Sequence, residues 1–483
     1  MKLLSVNPTA HRLYSDAVLD SQIKTLSLTL QSSSKDMMDL LSTNNEKLLL
    51  ILKIMVKKNG VKLFQNKVYQ DRLVMEIKSI LSHKESYILD FFLIWEDISY
   101  FFESRNQVAN IGRGSSVGSL VNYLLGITKV DPIKENLLFE RWFSPDQTPD
   151  IDFDCGNKEE LVSYLKDKYG VVKSVQVQTY HKLKATLNEA LSKTKMKYAR
   201  KQMILDIIEP YLSKTHDSQK ELLAEIIKSE PSFGAFLLSN PEVNHFLLTN
   251  LDQPKSLVNH ASGLVLSIVD NLEMKNIEDN GIVKFDILTL NSYKMINKDS
   301  SLSNIKKIST SKQNFNNILK NNAPESIMGS SLKIYFSMFD DPIINNALEG
   351  AIVLAKSRPG PSLIAERLKN TIKDTRIEVV LEETHGELLF QEQVMEILKN
   401  VLTIDFFEAN KILKSLLKRS SVFKEKRSEY VQRIGYNGEE IMAYLEDVAP
   451  YTFNKAHAIA YSYLELYLKN TDWKRKLVAT CEE

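Results

Sequence analysis

Three aspartates alternate along the segment PDIDFD, at Asp150, Asp152 and Asp154. Because successive side chains of a β-strand point to opposite faces, a strand here would carry all three carboxylates on one face. Carboxylates this close repel one another and raise each other's pKa unless a cation lies between them. An all-oxygen ligand set suits a hard cation such as Mg²⁺. The segment therefore predicts a metal-binding strand, and the alternative for an isolated pattern of this kind is a solvated edge strand.

A glycine-serine turn lies about 35 residues before this segment, in GRGSSVGSLVNYLL. Its glycines, Gly114 among them, permit close approach of the backbone, and Ser115 or Ser116 is expected to cap a helix that begins here. The N–H groups at a helix N-terminus favour a phosphate, and the Arg113 guanidinium fits the same anion. Such turns also cap helices that bind nothing, but together with the acidic strand the turn predicts a site for a metal-bound nucleoside triphosphate.

The composition is that of a folded, helix-rich protein with several domains. The 483 residues are 43% hydrophobic and 25% charged, with few glycines and prolines, which argues against long disordered regions. Two cysteines cannot form a disulfide framework, and the sequence shows neither a signal peptide nor an apolar run that could span a membrane. These observations predict a cytoplasmic protein with no membrane partner.

Hydrophobic periodicity predicts the elements that must position the candidate residues. The first 66 residues show short helices. Between Tyr69 and Arg105 the pattern predicts two helices, of which the second, YILDFFLIWEDISYFF, is apolar enough to be buried. Helices are expected again from His181 to about Leu251, and two strands follow in SGLVLSIVD and NGIVKFDIL. After Ser300 the pattern is almost entirely helical.

Basic residues are unevenly distributed, although the net charge is only +1. The segment SKTKMKYARKQ carries Lys193, Lys195, Lys197 and Arg200 without any acidic residue. A second basic cluster extends over residues 411–427. Clusters of this kind attract phosphate backbones, but a solvated helix face is an equally acceptable interpretation of either cluster alone.

Several motifs occur together in a definite order. The turn at Arg113–Ser115, the LLFER stretch at Leu137–Arg141 and the strand at Pro149–Asp152 follow one another along the chain. With these motifs the segment closely resembles the palm of bacterial C-family replicative DNA polymerases, the DNA polymerase III alpha-subunit type. Further along, NHASGLVLS and NGIVKFDIL resemble the returning palm strands of that family. The segments that resemble its fingers are SRPGP, HGELLFQEQVMEIL, EANKILKSLLKR and FNKAHAIAYSYLELYLK.

This resemblance extends from about Tyr69 to the end of the sequence and implies a fold. The expected class is α+β and mostly helical, with a polymerase-beta-like nucleotidyltransferase palm, a helical thumb and helical fingers. The implied division of the chain is an N-terminal helical region at 1–66, a first palm segment at 67–180, the thumb at 181–255, a second palm segment at 256–300 and the fingers at 301–483.

The resemblance also implies roles for individual residues. Asp150, Asp152 and Asp286 are implied to be the catalytic aspartates that hold two Mg²⁺ ions, and Asp154 is implied to be a bystander or an outer-shell group. The residues implied to bind the nucleotide are Arg113, Gly114, Ser115, Arg141, Lys284, Lys414, Lys418, Lys455 and His457. The residues expected to bind DNA are those of the first basic cluster, Lys193, Lys195, Lys197 and Arg200.

Some of these residues have an alternative structural interpretation. Arg141 could form a salt bridge within the palm, and Lys455 and His457 could belong to a helix cap with a satisfied histidine. Lys414 stands where the family carries paired arginines, so it offers a point charge instead of a bidentate guanidinium. His260 matches an H-A-x-G turn of the family and is expected to be structural.

The function implied by the resemblance is template-directed DNA polymerisation, in which a primer 3′-hydroxyl is extended with deoxynucleoside triphosphates by two-metal-ion phosphoryl transfer. The partners implied are primer-template DNA and deoxynucleoside triphosphates. The alternatives left open are a gap-filling or template-independent nucleotidyltransferase, which shares the palm chemistry, and a catalytically silent replisome scaffold.

The segments that the sequence lacks lead to a further expectation. Cellular relatives begin with a large histidine-rich metal-binding (PHP) domain and continue beyond the AYSYLELYLK helix, whereas here the region before the palm is short and holds one histidine, His11. No segment is left for a proofreading exonuclease. The sequence therefore predicts a minimal, bacteriophage-encoded polymerase core in the host cytoplasm, with any processivity factor and exonuclease on separate chains.

Overall fold

The computed structural model describes a defined portion of the chain, and the statements below concern that portion. The described residues are 13, 16–30, 45–84, 87–147, 149–170, 172–212, 218–266, 283–298, 346–358, 360–361, 364–418 and 420–469. Some residues of the predicted regions 1–66, 256–300 and 301–483 therefore lie outside the described residues, as do the first residues of NGIVKFDIL.

Helices account for most of the described chain. In chain order the helices of the first half are α1 (Ala17–Leu30), α2 (Glu46–Asn59), α3 (Lys67–Leu81), α4 (Ile88–Glu103), α5 (Leu120–Leu124), α6 (Lys158–Tyr169), α7 (Leu183–Ser192), α8 (Tyr198–Ile208), α9 (Gln219–Ser229), α10 (Pro231–Ser239) and α11 (Pro241–Asn250). Those of the second half are α12 (Asn291–Lys298), α13 (Ala347–Lys356), α14 (Ala365–Leu368), α15 (Thr375–Leu381), α16 (Gln391–Leu402), α17 (Phe406–Leu417), α18 (Ser421–Ile434), α19 (Gly438–Val448) and α20 (Lys455–Lys469). None of the described helices combines the length and the apolar character that a membrane crossing needs.

Short 3₁₀ segments connect several of these helices, at Val61–Gln65, Gly114–Gly118, Phe139–Arg141, Glu209–Tyr211, Glu382–Thr384 and Ala449–Tyr451. Four strands complete the fold, namely β1 (Asp152–Cys155), β2 (Lys173–Tyr180), β3 (Pro254–Val265) and β4 (Lys284–Thr289). Their order in the sheet is β1-β4-β3-β2, and β1 pairs with β4 in parallel. A mostly helical α+β protein with one small sheet is the class that the sequence predicted, although β2 was not anticipated.

The chain divides into two compact units. The larger consists of Met1–Val172, Leu264–Ser267 and Gly281–Glu483, and the smaller of Lys173–Gly263 and Ile268–Asn280. The finer division into an N-terminal region, a palm built from two segments, a thumb and fingers stays a prediction.

An aromatic cluster in the larger unit holds β1 and β4 in place. Helix α4 is almost entirely buried, as its apolar sequence predicted. The Trp95 ring of this helix lies 5.7 Å from the Phe153 ring of β1 and 5.1 Å from the Phe285 ring of β4. Because Phe153 and Phe285 face the helix, the alternate positions of both strands face away from it. This packing determines which side chains of β1 and β4 can form a site.

A second core in the larger unit places the glycine-serine turn beside the last helix. It is built mainly from the helices α13–α20, and Ile111 and Val117 from the turn region are included in it. A Cβ added to Gly112 would come within 3.1 Å of the Ala460 side chain of α20. The turn and α20 are therefore packed tightly against each other.

The smaller unit has a core of its own. Helices α7–α11 lie where the sequence predicted helices from His181 to about Leu251, and their buried residues include Leu187, Phe233 and Leu247. Two of these helices begin with a proline at their N-terminal end, Pro231 and Pro241, where the missing N–H costs no hydrogen bond.

The predicted helix cap in the glycine-serine turn is wrong. Residues Gly114–Gly118 form a 3₁₀ turn without a side-chain cap, and the following helix α5 is capped by Ser119 instead of Ser115 or Ser116. The N-terminal N–H groups of α5 are moreover already satisfied. The buried carboxylate of Glu76 accepts hydrogen bonds from the backbone nitrogens of Leu120 and Val121, at 2.9 and 3.0 Å. The N–H groups of Leu120 and Val121 are therefore not available to a phosphate, whereas the nucleotide-binding role predicted for Arg113, Gly114 and Ser115 stays a prediction.

Glu76 is held from three sides, which makes it a structural anchor. Its carboxylate also accepts from the Ser119 hydroxyl at 2.9 Å and pairs with Arg72 at 2.7 Å, one turn earlier on α3. Arg72 in turn donates to the backbone oxygens of Gly118 and Leu137, at 2.7 and 3.0 Å. A single buried ion pair thus fixes the backbone on both sides of the turn.

We predict that Glu76→Gln destabilises the protein by on the order of 3 kcal/mol, because it leaves a buried guanidinium without its counter-charge. Thermal or urea unfolding measures this effect. Asp71→Asn on the same helix is the matched control, because Asp71 pairs with Lys67 in an exposed i,i+4 pair and its loss should cost less than about 0.5 kcal/mol. Equal losses for the two variants would contradict the anchoring role of Glu76.

Candidate active site

The parallel pairing of β1 and β4 brings two of the predicted catalytic carboxylates together. Asp152 is opposite Asp286 in the strand register. Both side chains lie on the strand faces turned away from Trp95, because Phe153 and Phe285 occupy the other faces. Burial raises the pKa of Asp152, and the negative charge of Asp286 adds to that increase while Arg113 opposes it.

Asp150 lies just before β1, so only Asp152 and Asp154 of the three alternating aspartates belong to the strand. The backbone oxygen of Asp150 accepts a hydrogen bond from the indole nitrogen of Trp142 at 2.7 Å. The Asp150 side chain keeps an exposed surface, yet loss of hydration raises its pKa to about 6, and repulsion from Asp286 and Asp152 contributes. The negative charges of Asp286 and Asp152 thus act on the Asp150 carboxyl group.

Lys284 supplies a positive charge beside these carboxylates. Its ammonium nitrogen lies 2.6 Å from a carboxylate oxygen of Asp286, two residues away on the same strand face. Burial lowers the pKa of Lys284, but the hydrogen bond and the charges of the three aspartates more than offset this and the pKa is raised. One lysine cannot neutralise three carboxylates, so a net negative charge remains.

These residues fit a hard divalent cation by their chemistry, because carboxylate oxygens are the ligands that Mg²⁺ prefers and the raised pKa of Asp150 reports repulsion that a cation would relieve. Within the described portion of the chain, however, no three His, Cys, Asp or Glu side chains are grouped closely enough to hold one ion. The three aspartates that could bind a cation lie near one another, and Lys284 neutralises Asp286 in this arrangement.

Asp154 faces the protein interior, where it contacts the glycine-serine turn. Its side chain is fully buried, and its carboxylate contacts Arg113 at 3.3 Å and the Tyr461 hydroxyl at 3.3 Å. Arg113 also donates to the Tyr461 hydroxyl at 2.9 Å. Burial raises the pKa of Asp154 to about 6, although Arg113 and Tyr461 pull it back toward its ordinary value. Asp154 is thus a buried partner of Arg113.

A cavity of about 340 Å³ opens beside the acidic strand. Its lining includes the predicted residues Arg113, Gly114, Ser115, Arg141, Asp150, Asp152 and His457, together with Arg358, Gln391, Phe453 and Asn454. Seven predicted residues from distant regions of the sequence therefore meet around one space. Three guanidinium groups and two carboxylates in the same lining give the cavity both an anion-binding and a cation-binding character.

The turn at Gly114 comes close to both Asp152 and α20. Gly114 has φ of +65°, and a Cβ at this position would lie 3.2 Å from a carboxylate oxygen of Asp152, so the position favours glycine on both counts. The Gly114 backbone N–H donates to Nδ1 of His457 at 3.0 Å. Because Nδ1 accepts this bond, the remaining proton of a neutral imidazole lies on Nε2.

His457 is held in its neutral form. Burial lowers its pKa to about 3, and the positive charges of Arg113 and Arg358 lower it further. The imidazole stacks on the Tyr461 ring with centroids 4.3 Å apart and meets the Phe453 ring edge-on at 5.1 Å. His457 is therefore a neutral Nε2–H donor in the cavity lining.

Two arginines line the cavity from other segments. Arg141 donates to the side-chain oxygen of Gln391, with Nε at 3.1 Å, so its charge is not paired with an acid in this contact. Arg358 lies over the Phe453 ring, with its guanidinium carbon 4.1 Å from the ring centroid. In the sequence Arg358 stands out only as a member of SRPGP, and no local signal marks it as a cavity residue.

The remaining predicted nucleotide-binding lysines lie elsewhere. Lys414 donates to the Gln147 side chain at 3.1 Å, and burial with the charges of Arg141 and Lys418 lowers its pKa. Lys418 is exposed at the end of α17. Lys455 is buried and pairs with Glu383 at 2.7 Å. The nucleotide-binding role of all three stays a prediction.

The predicted DNA-binding cluster lies in the smaller unit, around the start of α8. Lys195, Lys197 and Arg200 are exposed and form no ion pair with any described residue, whereas Lys193 pairs with Glu189 at 3.4 Å. The Lys193 ammonium also lies 3.9 Å from the centroid of the Phe246 ring. All four cluster residues are therefore exposed, and three of them form no ion pair within the described part of the chain, which suits a phosphate-binding surface.

Comparison with known proteins establishes the family. Residues 46–270 match the bacterial DNA polymerase III alpha NTPase domain, and residues 291–438 match the bacterial DNA polymerase III alpha subunit finger domain. Together the two matches cover more than half of the chain and include β1, β2, β3, the turn and most of the cavity lining, whereas β4 lies between the two matched ranges. The chain belongs to the bacterial DNA polymerase III alpha family, the C-family of DNA polymerases.

Similar full-length proteins are named DNA polymerase III subunit alpha. The one from Ureaplasma parvum is 27% identical over 450 residues, which are 83% of this chain and 45% of that protein. The one from Mycoplasma genitalium is 27% identical over 527 residues, 95% of this chain and 57% of that protein. The one from Staphylococcus epidermidis is 26% identical over 454 residues, 84% and 42%. The chain spans about half the length of the curated relatives it matches.

We predict that His457 makes the stability of the protein depend on acid pH. The unfolded chain binds a proton on this histidine near pH 6.5, whereas the folded protein does so only near pH 3. Between these values the unfolded state binds more protons, so the contribution of His457 to stability is full above pH 6.5 and is lost as the pH falls.

The measurement is the melting temperature of the wild type and of His457→Asn from pH 4 to pH 8. Asparagine cannot titrate, and its side-chain oxygen can still accept from Gly114. The advantage of the wild type should be largest above pH 7 and should shrink on acidification. Parallel curves for the two proteins would contradict a buried neutral histidine.

Proposed function

We propose that the chain is a template-directed DNA polymerase that extends a primer 3′-hydroxyl with deoxynucleoside triphosphates. The observation that carries the proposal is the convergence of Asp152, opposite Asp286 on a paired strand, with a cavity lined by three arginines. Carboxylates beside guanidinium groups match a triphosphate that arrives with divalent cations. Membership of the bacterial DNA polymerase III alpha family supports the same function.

Asp150, Asp152 and Asp286 are the residues that would hold two Mg²⁺ ions. When bound, these ions would lower the pKa of the primer hydroxyl and stabilise the charge on the triphosphate. The protein's role is to keep the carboxylates close together. The shared register of β1 and β4 brings Asp152 and Asp286 together, and the ammonium of Lys284 partly opposes the rise in the pKa of Asp152 that burial causes.

The triphosphate would bind the guanidinium-rich side of the same cavity. Arg113 and Arg141, with the turn at Gly114 and Ser115, were predicted for this role, and Arg358 adds a third guanidinium. A neutral His457 contributes an Nε2–H donor without adding charge. In this assignment β1 and β4 belong to a polymerase-beta-like palm and residues 301–483 to the fingers.

The direct test is primer extension by the purified chain with Mg²⁺ and the four deoxynucleotides. We expect extension of a primed template with only the complementary nucleotide, and its loss when EDTA removes the cations. Addition to an unpaired primer would indicate a template-independent nucleotidyltransferase, and binding of primer-template without extension would indicate a scaffold.

We predict that Asp152→Asn and Asp286→Asn each reduce the single-turnover rate by orders of magnitude. Both substitutions remove charge with little change in shape, and the effect falls on the transition state more than on the ground state. Asp154→Asn should keep most of the rate at saturating nucleotide, because this carboxyl group lies behind Arg113. Circular dichroism confirms folding, and a fully active Asp286→Asn would overturn the assignment.

We further propose that residues 181–255 are a thumb that binds the phosphates of duplex DNA through the exposed basic residues around α8. Each lost phosphate contact lowers the slope of log binding constant against log salt by about 0.9. We predict that alanine at Lys195, Lys197 and Arg200 weakens DNA binding and flattens this slope, measured by fluorescence anisotropy.

The control for this test is Lys184→Ala in the same unit. Lys184 pairs with Glu209 at 2.6 Å, so its removal should leave the salt slope unchanged. An unchanged slope for the triple variant, or an equal change for the control, would show that the cluster is only a solvated helix face.

A further inference from the structure

Tyr461 of α20 contacts Arg113 although 348 residues separate them in the chain. The Tyr461 hydroxyl accepts a hydrogen bond from Nη1 of Arg113 at 2.9 Å and donates one to Asp154 at 3.3 Å. Nη1 of Arg113 also donates to the second carboxylate oxygen of Asp154 at 3.3 Å. The three groups form a closed triangle in which Asp154 and Tyr461 are both buried.

The triangle uses only one of the three guanidinium nitrogens of Arg113. Within the described residues, Nε and Nη2 of Arg113 make no hydrogen bond, and the side chain lines the cavity. Nε carries one N–H group and Nη2 carries two, so three N–H groups stay available, and two of them are parallel along the Nε–Nη2 edge. Two parallel N–H groups on one edge are the geometry that binds two phosphate oxygens together.

Tyr461 is itself held in place by packing. The His457 ring stacks on it, nearly parallel at 18°, and His457 accepts from the Gly114 backbone next to Arg113. Residues 457 and 461 are one helical turn apart on α20, so the same face of this helix contacts both Gly114 and Arg113. The hydroxyl of Tyr461 can therefore restrict Arg113 without moving itself.

We propose that Tyr461 is a positioning residue that, together with Asp154, orients Arg113 so that its Nε–Nη2 edge presents two N–H donors to the triphosphate of the incoming nucleotide. This role rests on the proposed polymerase function. Tyr461 does not touch the nucleotide; it reduces the number of orientations of Arg113 that must be lost on binding. Without the Tyr461 hydroxyl, Arg113 keeps its charge, but its Nε–Nη2 edge is no longer held in one orientation.

The test is single-turnover primer extension at varied nucleotide concentration with Tyr461→Phe, which removes the hydroxyl and keeps the ring. We expect the apparent dissociation constant for nucleotide to rise about three- to tenfold, in line with a hydrogen bond to a charged group. The rate at saturating nucleotide and the affinity for primer-template should stay close to wild type, and the melting temperature should fall by only a few degrees, because Asp154 loses one hydrogen bond and keeps Arg113.

The matched control is Tyr463→Phe, on the same helix. The Tyr463 hydroxyl donates to the Glu135 carboxylate and is likewise partly buried, but neither residue lines the cavity. Its nucleotide constant should stay within about twofold of wild type, since the bond it loses is of the same kind but in another place.

A double-mutant cycle connects the effect to Arg113. In an Arg113→Ala background, Tyr461→Phe should have no further effect on the nucleotide constant, because the group that it orients is gone. Additive effects, an unchanged constant in Tyr461→Phe, or equal changes in Tyr461→Phe and Tyr463→Phe would overturn the proposal. Absence of extension by the wild type would instead overturn the polymerase function itself.

Discussion

A carboxyl group without access to water is stable in a folded protein only if charges or hydrogen bonds compensate for its lost hydration. Asp154 is such a group, and its compensation comes from Arg113 and Tyr461. These residues belong to three segments, the strand β1, the glycine-serine turn and the last described helix. Satisfying one buried carboxylate therefore requires the three segments to meet, and the cavity is formed where they do.

The charges around the cavity are arranged so that both signs remain available. Arg113 is turned toward Asp154 by one nitrogen only, Arg141 contacts the neutral Gln391, and Arg358 lies over the aromatic ring of Phe453. Apart from the ion pair between Arg113 and Asp154, these contacts are therefore made with uncharged groups. Lys284, whose ammonium nitrogen lies 2.6 Å from Asp286, places a positive charge beside the carboxylates and partly opposes the rise in the pKa of Asp150 and Asp152 that burial causes.

The start of α5 offers no free backbone N–H at Leu120 or Val121, because both are hydrogen-bonded within the protein. Glu76 occupies the N-terminal N–H groups of α5 and supplies a negative charge at the place where a phosphate was expected. What the turn offers to a ligand is instead a glycine with a positive φ next to Asp152, and the Arg113 side chain. The Glu76 carboxylate thus stabilises the protein fold here, and a ligand would have to contact side chains of the turn.

The sequence by itself determined most of the helices and the residue types available to the candidate site. Local periodicity marked the buried α4 and the helices of 181–251, and the alternation of Asp152 and Phe153 indicated which residues share a strand face, because these patterns depend only on backbone geometry. It did not reveal β2, the cap at Ser119 or the Glu76 anchor. Only the tertiary structure decided that Asp286 is opposite Asp152, that Arg358 lines the cavity and that Tyr461 holds Arg113. These contacts join residues that are up to hundreds of positions apart in the sequence. They depend on the packing of the whole larger unit, which no local sequence pattern encodes.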